Sequence, residues 1–297
     1  MNRLKKDAKY YFTNELTFKT PLDNVHYFVM RNYEIGMHKQ DFFEINIIVR
    51  GNGVHYIEGN LVDASVGDVF IVPPDVEHGY TGGEGFDVFH ILLNNRFMQK
   101  NLADLQMING FSMLFNVEPI MRARTNKPLH LKLNRVQFKS IESLLMERID
   151  QKNYLSAEDS MLSMGTVYII ITKLCGIYVE NNSLEKKDAE VKDTAFMRSL
   201  ALIHERYREK LTLEELAREA RLSKSTYVRK FIYICKTTPA EYITRKRIEV
   251  AENLLKTSNS SLLEIAEAVG FYDAAHFSRT FKKLKGISPY EYRKKNV

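Results

Sequence analysis

The stretch GFYDAAHFSRTFKKLKGISPYEYR, Gly270 to Arg293, decides the reading of this chain. It sets Lys and Arg beside rings at Phe271, Phe277, Phe281, Tyr290 and Tyr292. A solvated helix face has no use for the rings, and a buried helix does not tolerate the charges, so the two classes must occupy opposite faces. Phe277 and Phe281, four apart, are expected to turn inward onto Leu263, Ile265 and Ala266. His276, Arg279, Lys282 and Lys283 are expected to face outward. The layout occurs once before, in LTLEELAREARLSKSTYVRKFIYICKTTPAEYI from Leu211 to Ile243. Arg229, Phe231, Pro239 and Tyr242 return 50 residues later as Arg279, Phe281, Pro289 and Tyr292. Ala217 returns after 49, as Ala266, so one residue is inserted in the second turn. A repeated unit implies a repeated task.

Each copy reads as a short helix (about 213–220 and 262–269), a tight turn and a second helix (224–235 and 274–285). That is a helix-turn-helix, whose second helix lies in the major groove of DNA. Gly270 stands where the turn needs a positive φ. The amphipathic run RKRIEVAENLLKTS, 245–258, joins the copies. Charge agrees with this division: residues 193–297 carry 21 Lys and Arg against 13 Asp and Glu, while 1–192 carry 22 against 24. The positive excess belongs to the C-terminal third, which fits a polyanion-binding module attached to a neutral one.

The N-terminal half has a different period. In FFEINIIVRGNGVHYIEG, Phe43, Ile45, Ile47 and Val49 alternate with Glu44, Asn46 and Arg50, and Gly51-Asn52-Gly53 turns into a second strand. Short strands punctuated by Gly59-Asn60 and Gly67-Asp68 across 42–93 favour an all-β sandwich or barrel. From about 128 the pattern is helical, with Val136, Ile141, Leu144, Leu145 and Ile149 on one face, and a second helix follows from Ala157 to Val179. ENNSLEKKDAEVKD, polar throughout, reads as a linker.

The segments RKRIEVAENLL, LLEIAEAVGF, HFSRTFKKLKG and SPYEYR together resemble the C-terminal signature of the AraC/XylS family of bacterial transcription regulators, over about 205–293. The resemblance implies a sequence-specific, effector-responsive activator whose two helix-turn-helix units read consecutive major-groove segments. Carried over by position, the base-edge candidates are Ser225, Val228, Arg229, Ala275, His276 and Arg279. Lys224, Ser278 and Lys282 are the phosphate candidates. The first copy departs from the signature at Arg221, where the turn glycine is usual, and at Lys236, where a glycine ends the helix. Arg221 is itself a further phosphate candidate.

Residues 31–93 resemble the cupin-like sensor domain that precedes this module in the family. GMHKQDFFEINIIVRG holds His38 and Glu44 at the spacing of that domain's metal motif, with Gln40 replacing a histidine, and GDVFIVPPDVEH supplies His78. If 38–44 is extended, His38, Gln40 and Glu44 share one side. His38, Gln40, Glu44 and His78 could hold a divalent metal, but the lost histidine weakens that set, and no cofactor is expected. The effector candidates are Arg31, His38, Gln40, Glu44, His55, Tyr56, His78 and His90, and the resemblance suggests a sugar or related metabolite.

The resulting fold class is α+β multidomain: a cupin-like β-barrel domain over 1–127, a flanking helical pair over 128–180 that is the expected dimer surface, a linker over 181–193 and an all-α DNA-binding module over 194–297. The expected partners are double-stranded DNA, a small-molecule effector, a second copy of the chain and RNA polymerase. MNRLKKDAKYYFTNELTF has no apolar core, so no secretory leader is expected. VYIIITKLCGIYV, 167–179, is broken by Lys173 and too short to span a membrane. A cytoplasmic protein with two buried thiols, Cys175 and Cys235, is the reading these features favour. The rival is a metal-dependent cupin enzyme with a basic helical appendage. Gln40 and the intact helical repeat argue against it, and no enzymatic activity is expected.

Overall fold

The computed structural model describes residues 10–20, 22–124, 130–149, 156–183 and 188–296. The chain divides into two compact units, Met1–Glu185 and Lys186–Val297. The division falls inside the polar stretch read as a linker. Its described residues are helical, to Ser183 on one side and from Asp188 on the other.

The N-terminal unit is built on two five-stranded sheets. One has the order β1 (Tyr10–Phe12), β3 (Ile35–Gln40), β8 (His78–Thr81), β5 (Asn52–Ile57), β6 (Asn60–Ser65). The other runs β10 (Leu131–Lys132), β7 (Asp68–Val72), β4 (Phe43–Arg50), β9 (Asp87–Leu93), β2 (Val25–Met30). All pairings are antiparallel except β1 with β3. Ile48, Phe70 and Val88 from one sheet meet Ala64 and Tyr80 from the other in a buried cluster closed by Tyr33 and Phe86. Strand β4 alternates in sequence, yet both of its faces are buried: Ile45 and Ile47 on one side, Glu44 and Asn46 on the other. The polar set therefore faces the protein interior.

After β9 come α1's larger successors in chain order. (The short α1 spans Asn14–Thr17.) Helix α2 (Asn95–Met107) is followed by a π-helical turn, Ser112–Val117, that runs into α3 (Glu118–Arg124). Helices α4 (Arg135–Ile149) and α5 (Ala157–Ser183) pack on each other and on β2. Two expectations change here. Val136 is exposed, and the buried face of α4 is Ile141, Leu145 and Arg148. Helix α5 starts at the expected Ala157 but runs past Val179 to Ser183, and by length and composition its residues Ala157–Asn181 could cross a membrane, where the apolar run 167–179 alone was too short. Its Val167, Ile170, Ile171, Leu174, Cys175 and Tyr178 are instead buried in the unit.

The C-terminal unit is helical: α6 (Asp188–Arg206), α7 (Leu213–Glu219), α8 (Lys224–Cys235), α9 (Pro239–Thr257), α10 (Leu262–Ala268), α11 (Ala274–Lys285) and α12 (Pro289–Asn296). The repeat is written in its caps. Helices α7 and α10 each open with a capping box, Thr212 with Glu215 and Ser261 with Glu264. Ser223 and Asp273 then cap α8 and α11. Helix α9 packs against α8, α10 and α11. Its Ile248, Ala251 and Leu255 join Ile265, Ala266, Phe277 and Phe281 in one buried cluster. Leu263 lies outside it, half-exposed, and its neighbour Leu262 packs there instead. Among the opening rings Tyr290 is exposed, while Tyr292 packs edge-on against Phe281 at 5.3 Å.

Candidate functional site

The two second helices present matching outer faces. Lys224, Ser225, Arg229, Ala275, His276, Arg279 and Lys282 are exposed, and Val228 and Ser278 are half-buried at the edge of the same faces. Arg229 and Arg279 have no ion-pair partner among the described residues, so both guanidiniums are available for a bidentate contact. Lys224 differs: its Nζ sits 3.0 Å from Glu214 Oε2 in an exposed pair. Inward, Tyr227 and Phe231 anchor α8 against Phe196, as Phe277 and Phe281 anchor α11.

The turns carry the departure seen in the sequence. Gly270 has φ +86°, and Arg221 occupies the corresponding position with φ +54°. Lys236, likewise, ends α8 at φ +57° where Gly286 ends α11 at +79°. Arg221 thus holds a left-handed conformation unfavourable to a side chain. Arg221→Gly is expected to stabilise the unit by about 0.5–1 kcal/mol, the relief of strain being partly offset by a freer unfolded chain. If Arg221 contacts phosphate, the same change lowers DNA affinity and reduces the slope of log affinity against log salt by about one. Urea unfolding and salt-dependent binding check the two halves.

The second concentration of chemistry lies between the sheets of the N-terminal unit. Strand β3 brings His38 and Gln40 to one face, the chain bends at Asp41 and Phe42, and β4 brings Glu44 to the same interior. The three residues therefore converge across a bend rather than along one strand. His78, paired with His38 across β3 and β8, and His90 on β9 complete the group. Glu44 is its centre. Its Oε1 lies 2.6 Å from His90 Nδ1, and its Oε2 lies 3.1 Å from the donating Gln40 Nε2 and 3.3 Å from His78 Nε2. Burial pushes the Glu44 carboxyl up, but the hydrogen bonds and charges of His78 and His90 outweigh it and hold the carboxyl below its usual range. Burial, then neighbouring His78, brings the His38 imidazole down to about 4.

Beside this group opens a cavity of about 330 Å³, lined by His38, Gln40, Glu44 and His90 and walled by Phe12, Phe28, Tyr33 and Phe42. Phe28 stacks on His90 at 5.0 Å. Gln40 Oε1 and His90 Nε2 are buried without a partner, so the cavity has polar atoms to offer a guest. His55 and His78 lie behind the lining. Arg31 is exposed beyond the end of β2, and Tyr56, one position out of phase with buried His55, is half-buried on the opposite face. Neither lines the cavity: Arg31 has left the sheet, and at Tyr56 only alternate strand residues share the side of His55.

Sequence reading passed over the aromatic walls and a buried ion pair behind them. Arg122 donates to Glu118 at 2.8 Å and to the Ile71 carbonyl, and its Nη1 lies 3.3 Å from His55 Nδ1. The i,i+4 spacing of Glu118 and Arg122 was the available signal. Cys235 is half-buried rather than buried, and burial pushes the Cys175 thiol up to about 12.

His38, Glu44 and His78 also pass the geometric test for a metal, their ligand atoms lying within 4.8 Å of one another. The Nδ1 atoms of His38 and His78 face the carbonyls of Gly36 and Val76 at 3.0 and 3.1 Å, so His38 can present its Nε2 lone pair to a metal, whereas His78 would first have to give up the Nε2 hydrogen bond to Glu44. Gln40 stands where a fourth ligand would be.

A family model described as an AraC-like ligand binding domain matches residues 25–149, and a helix-turn-helix domain model matches 216–295. The chain belongs to the AraC/XylS family. It is 26% identical over 256 residues to the HTH-type transcriptional activator RhaS of Escherichia fergusonii, covering 86% of each chain. It is 24% identical over 265 residues to the Msm operon regulatory protein of Streptococcus mutans, covering 89% of this chain and 88% of the other. The solved C-terminal domain of the response regulator yesN from Fusobacterium nucleatum is 34% identical over 34% of this chain and 98% of that one, with a TM-score of 0.32. This AraC/XylS member is accordingly a DNA-binding transcription regulator with a ligand-binding domain.

Proposed function

We propose that this chain is an effector-responsive transcription activator that reads two successive major-groove segments with α8 and α11. The observation that supports it most directly is the pair Arg229 and Arg279, exposed and without an ion-pair partner among the described residues, at the same position of two helices that each open on a side-chain N-cap, Ser223 and Asp273. Ser225, Val228, Arg229, Ala275, His276 and Arg279 read base edges, with arginine suited to guanine and Val228 and Ala275 to a thymine methyl. Lys224, Ser278, Lys282 and Arg221 hold phosphates. Selecting duplexes from a random pool and comparing selected with random DNA at fixed salt tests the reading. In that assay Arg279→Ala is expected to cost about 2 kcal/mol on the selected duplex and to relax preference at one position. An equal loss on random DNA would remove the base assignment.

The effector, a sugar or related metabolite by family resemblance, enters the cavity above Glu44, with His38, Gln40 and His90 at its floor and His55 and His78 behind them. Polar atoms without partners and aromatic walls suit a ring bearing hydrogen-bond donors. The chain works as a cytoplasmic homodimer without enzymatic activity, and in activating it meets RNA polymerase. The exposed Met161, Leu162 and Ile169 on α5 support the dimer face.

A metal at His38, Glu44 and His78 is the second reading, favoured by the two imidazoles whose Nδ1 atoms face backbone carbonyls. A bound divalent ion would supply a Lewis acid to anchor an oxygen ligand. Elemental analysis of purified protein separates the readings: stoichiometric metal supports this one.

A further inference from the structure

The second helix-turn-helix is one residue longer than the first, and backbone hydrogen bonds identify the extra residue. Leu222 N donates to Ala217 O at 2.9 Å in the first copy, and Phe271 N donates to Ala266 O at 2.9 Å in the second. Arg221 and Gly270 therefore correspond, as do the N-caps Ser223 and Asp273. Tyr272, between Phe271 and Asp273, has no counterpart.

Its neighbours have structural work: Phe271 is buried in the core and Asp273 caps α11 through His276 N at 2.6 Å. Tyr272 is 96% exposed, the most exposed large apolar or aromatic side chain among the described residues, and it has no hydrogen-bond partner among them. A phenol left in water adds nothing to folding. Its place is informative, because it immediately precedes the helix whose outer face carries Ala275, His276 and Arg279. When the start of a recognition helix enters the major groove, the residues just ahead of it pass the groove wall, which is sugar and phosphate. The first copy puts a charged donor in its turn, the exposed Arg221. The second has glycine there, where a Cβ would strike the Arg208 carbonyl oxygen at 2.3 Å, so no side chain can sit at that position.

We propose that the Tyr272 hydroxyl donates a hydrogen bond to a backbone phosphate beside the segment read by α11, filling the role that Arg221 has in the first unit. The inference rests on the DNA-binding reading above. Its chemistry differs from that of Arg221 in one measurable respect: a neutral donor releases no counterion.

The test is fluorescence anisotropy of the full chain with a duplex it selects from a random pool and with random duplex, across a salt series. Tyr272→Phe and Tyr272→Ala are each expected to weaken both duplexes roughly tenfold, the scale of a hydrogen bond to a charged group. The salt slope stays at the wild-type value. Phenylalanine binding like wild type while alanine does not would give the role to the ring and overturn the hydroxyl contact. A changed base preference at one position would overturn it too, as would both variants binding normally. Wild-type protein that binds no duplex would instead remove the DNA-binding reading itself.

Discussion

Glu44→Ala is expected to destabilise the N-terminal unit by about 3–5 kcal/mol, the scale seen when one partner of a buried charged pair is removed. The residue is 5% exposed and receives Gln40, His78 and His90 together. Its loss takes the carboxylate partner from three buried polar groups, of which His78 keeps only the Val76 carbonyl at its other ring nitrogen. In a unit of this size the corresponding fall in melting temperature is roughly 10 °C. Calorimetry of the full chain reads it, with the C-terminal transition as internal reference. The linkage has a definite sign. A carboxyl held below its ordinary range contributes fully at neutral pH, and the contribution declines as pH falls below the range of an unfolded glutamate. Glu44→Ala should therefore flatten the acid limb of stability as well as lower its plateau. A wild-type melting point for the variant would mean that the imidazoles do not depend on the carboxylate.

The second large effect belongs to Gly270→Ala. At φ +86° any side chain is strained, at about 1–2 kcal/mol. The added Cβ would also lie 2.3 Å from the Arg208 carbonyl oxygen and 2.8 Å from that residue's carbonyl carbon and Cα, all backbone atoms that cannot swing aside. Forcing them apart adds overpacking on the order of 1–3 kcal/mol. A total of about 3 kcal/mol, read by urea unfolding, would shift α10 relative to the end of α6 and misplace α11. DNA affinity should fall with it although residue 270 need touch no DNA. Near-wild-type stability would mean the Arg208 segment yields freely.

Much of this architecture was legible because its signals are local. The bounds 224–235 and 274–285 were legible from the 50-residue repeat, which returns Arg229 and Phe231 as Arg279 and Phe281, and from the four-residue spacing of Phe277 and Phe281; Ser223 and Asp273 cap the two helices at those same bounds. Leu263 was misplaced because a seven-residue helix is too short for periodicity to fix which flank meets the core. In the N-terminal unit the polar set His38, Gln40, Glu44, His78 and His90 could be named from spacing and resemblance. The walls could not: Phe12, Phe28, Tyr33 and Phe42 come from β1, β2, a turn and a bend, and only sheet pairing unites them. Strands β2 and β3 carry His26, Tyr27, His38 and Lys39 without a clean alternation, so their pairing decides their faces. Arg31 and Tyr56 look as suitable in sequence as the residues that reach the cavity; the end of β2 at Met30 separates the first from them and strand phase the second.

Helix α9 acts as a ruler. Because α8, α10 and α11 are all seated on it, the separation between the two reading heads is a property of its 19 residues rather than of the DNA. B-form DNA completes a turn in about 10–10.5 base pairs, so one added pair between the two recognised segments rotates the farther one by about 35° away from its helix. A rigid gauge of this kind cannot follow. The spacing inside one recognised segment pair should therefore be invariant among the operators of this regulator.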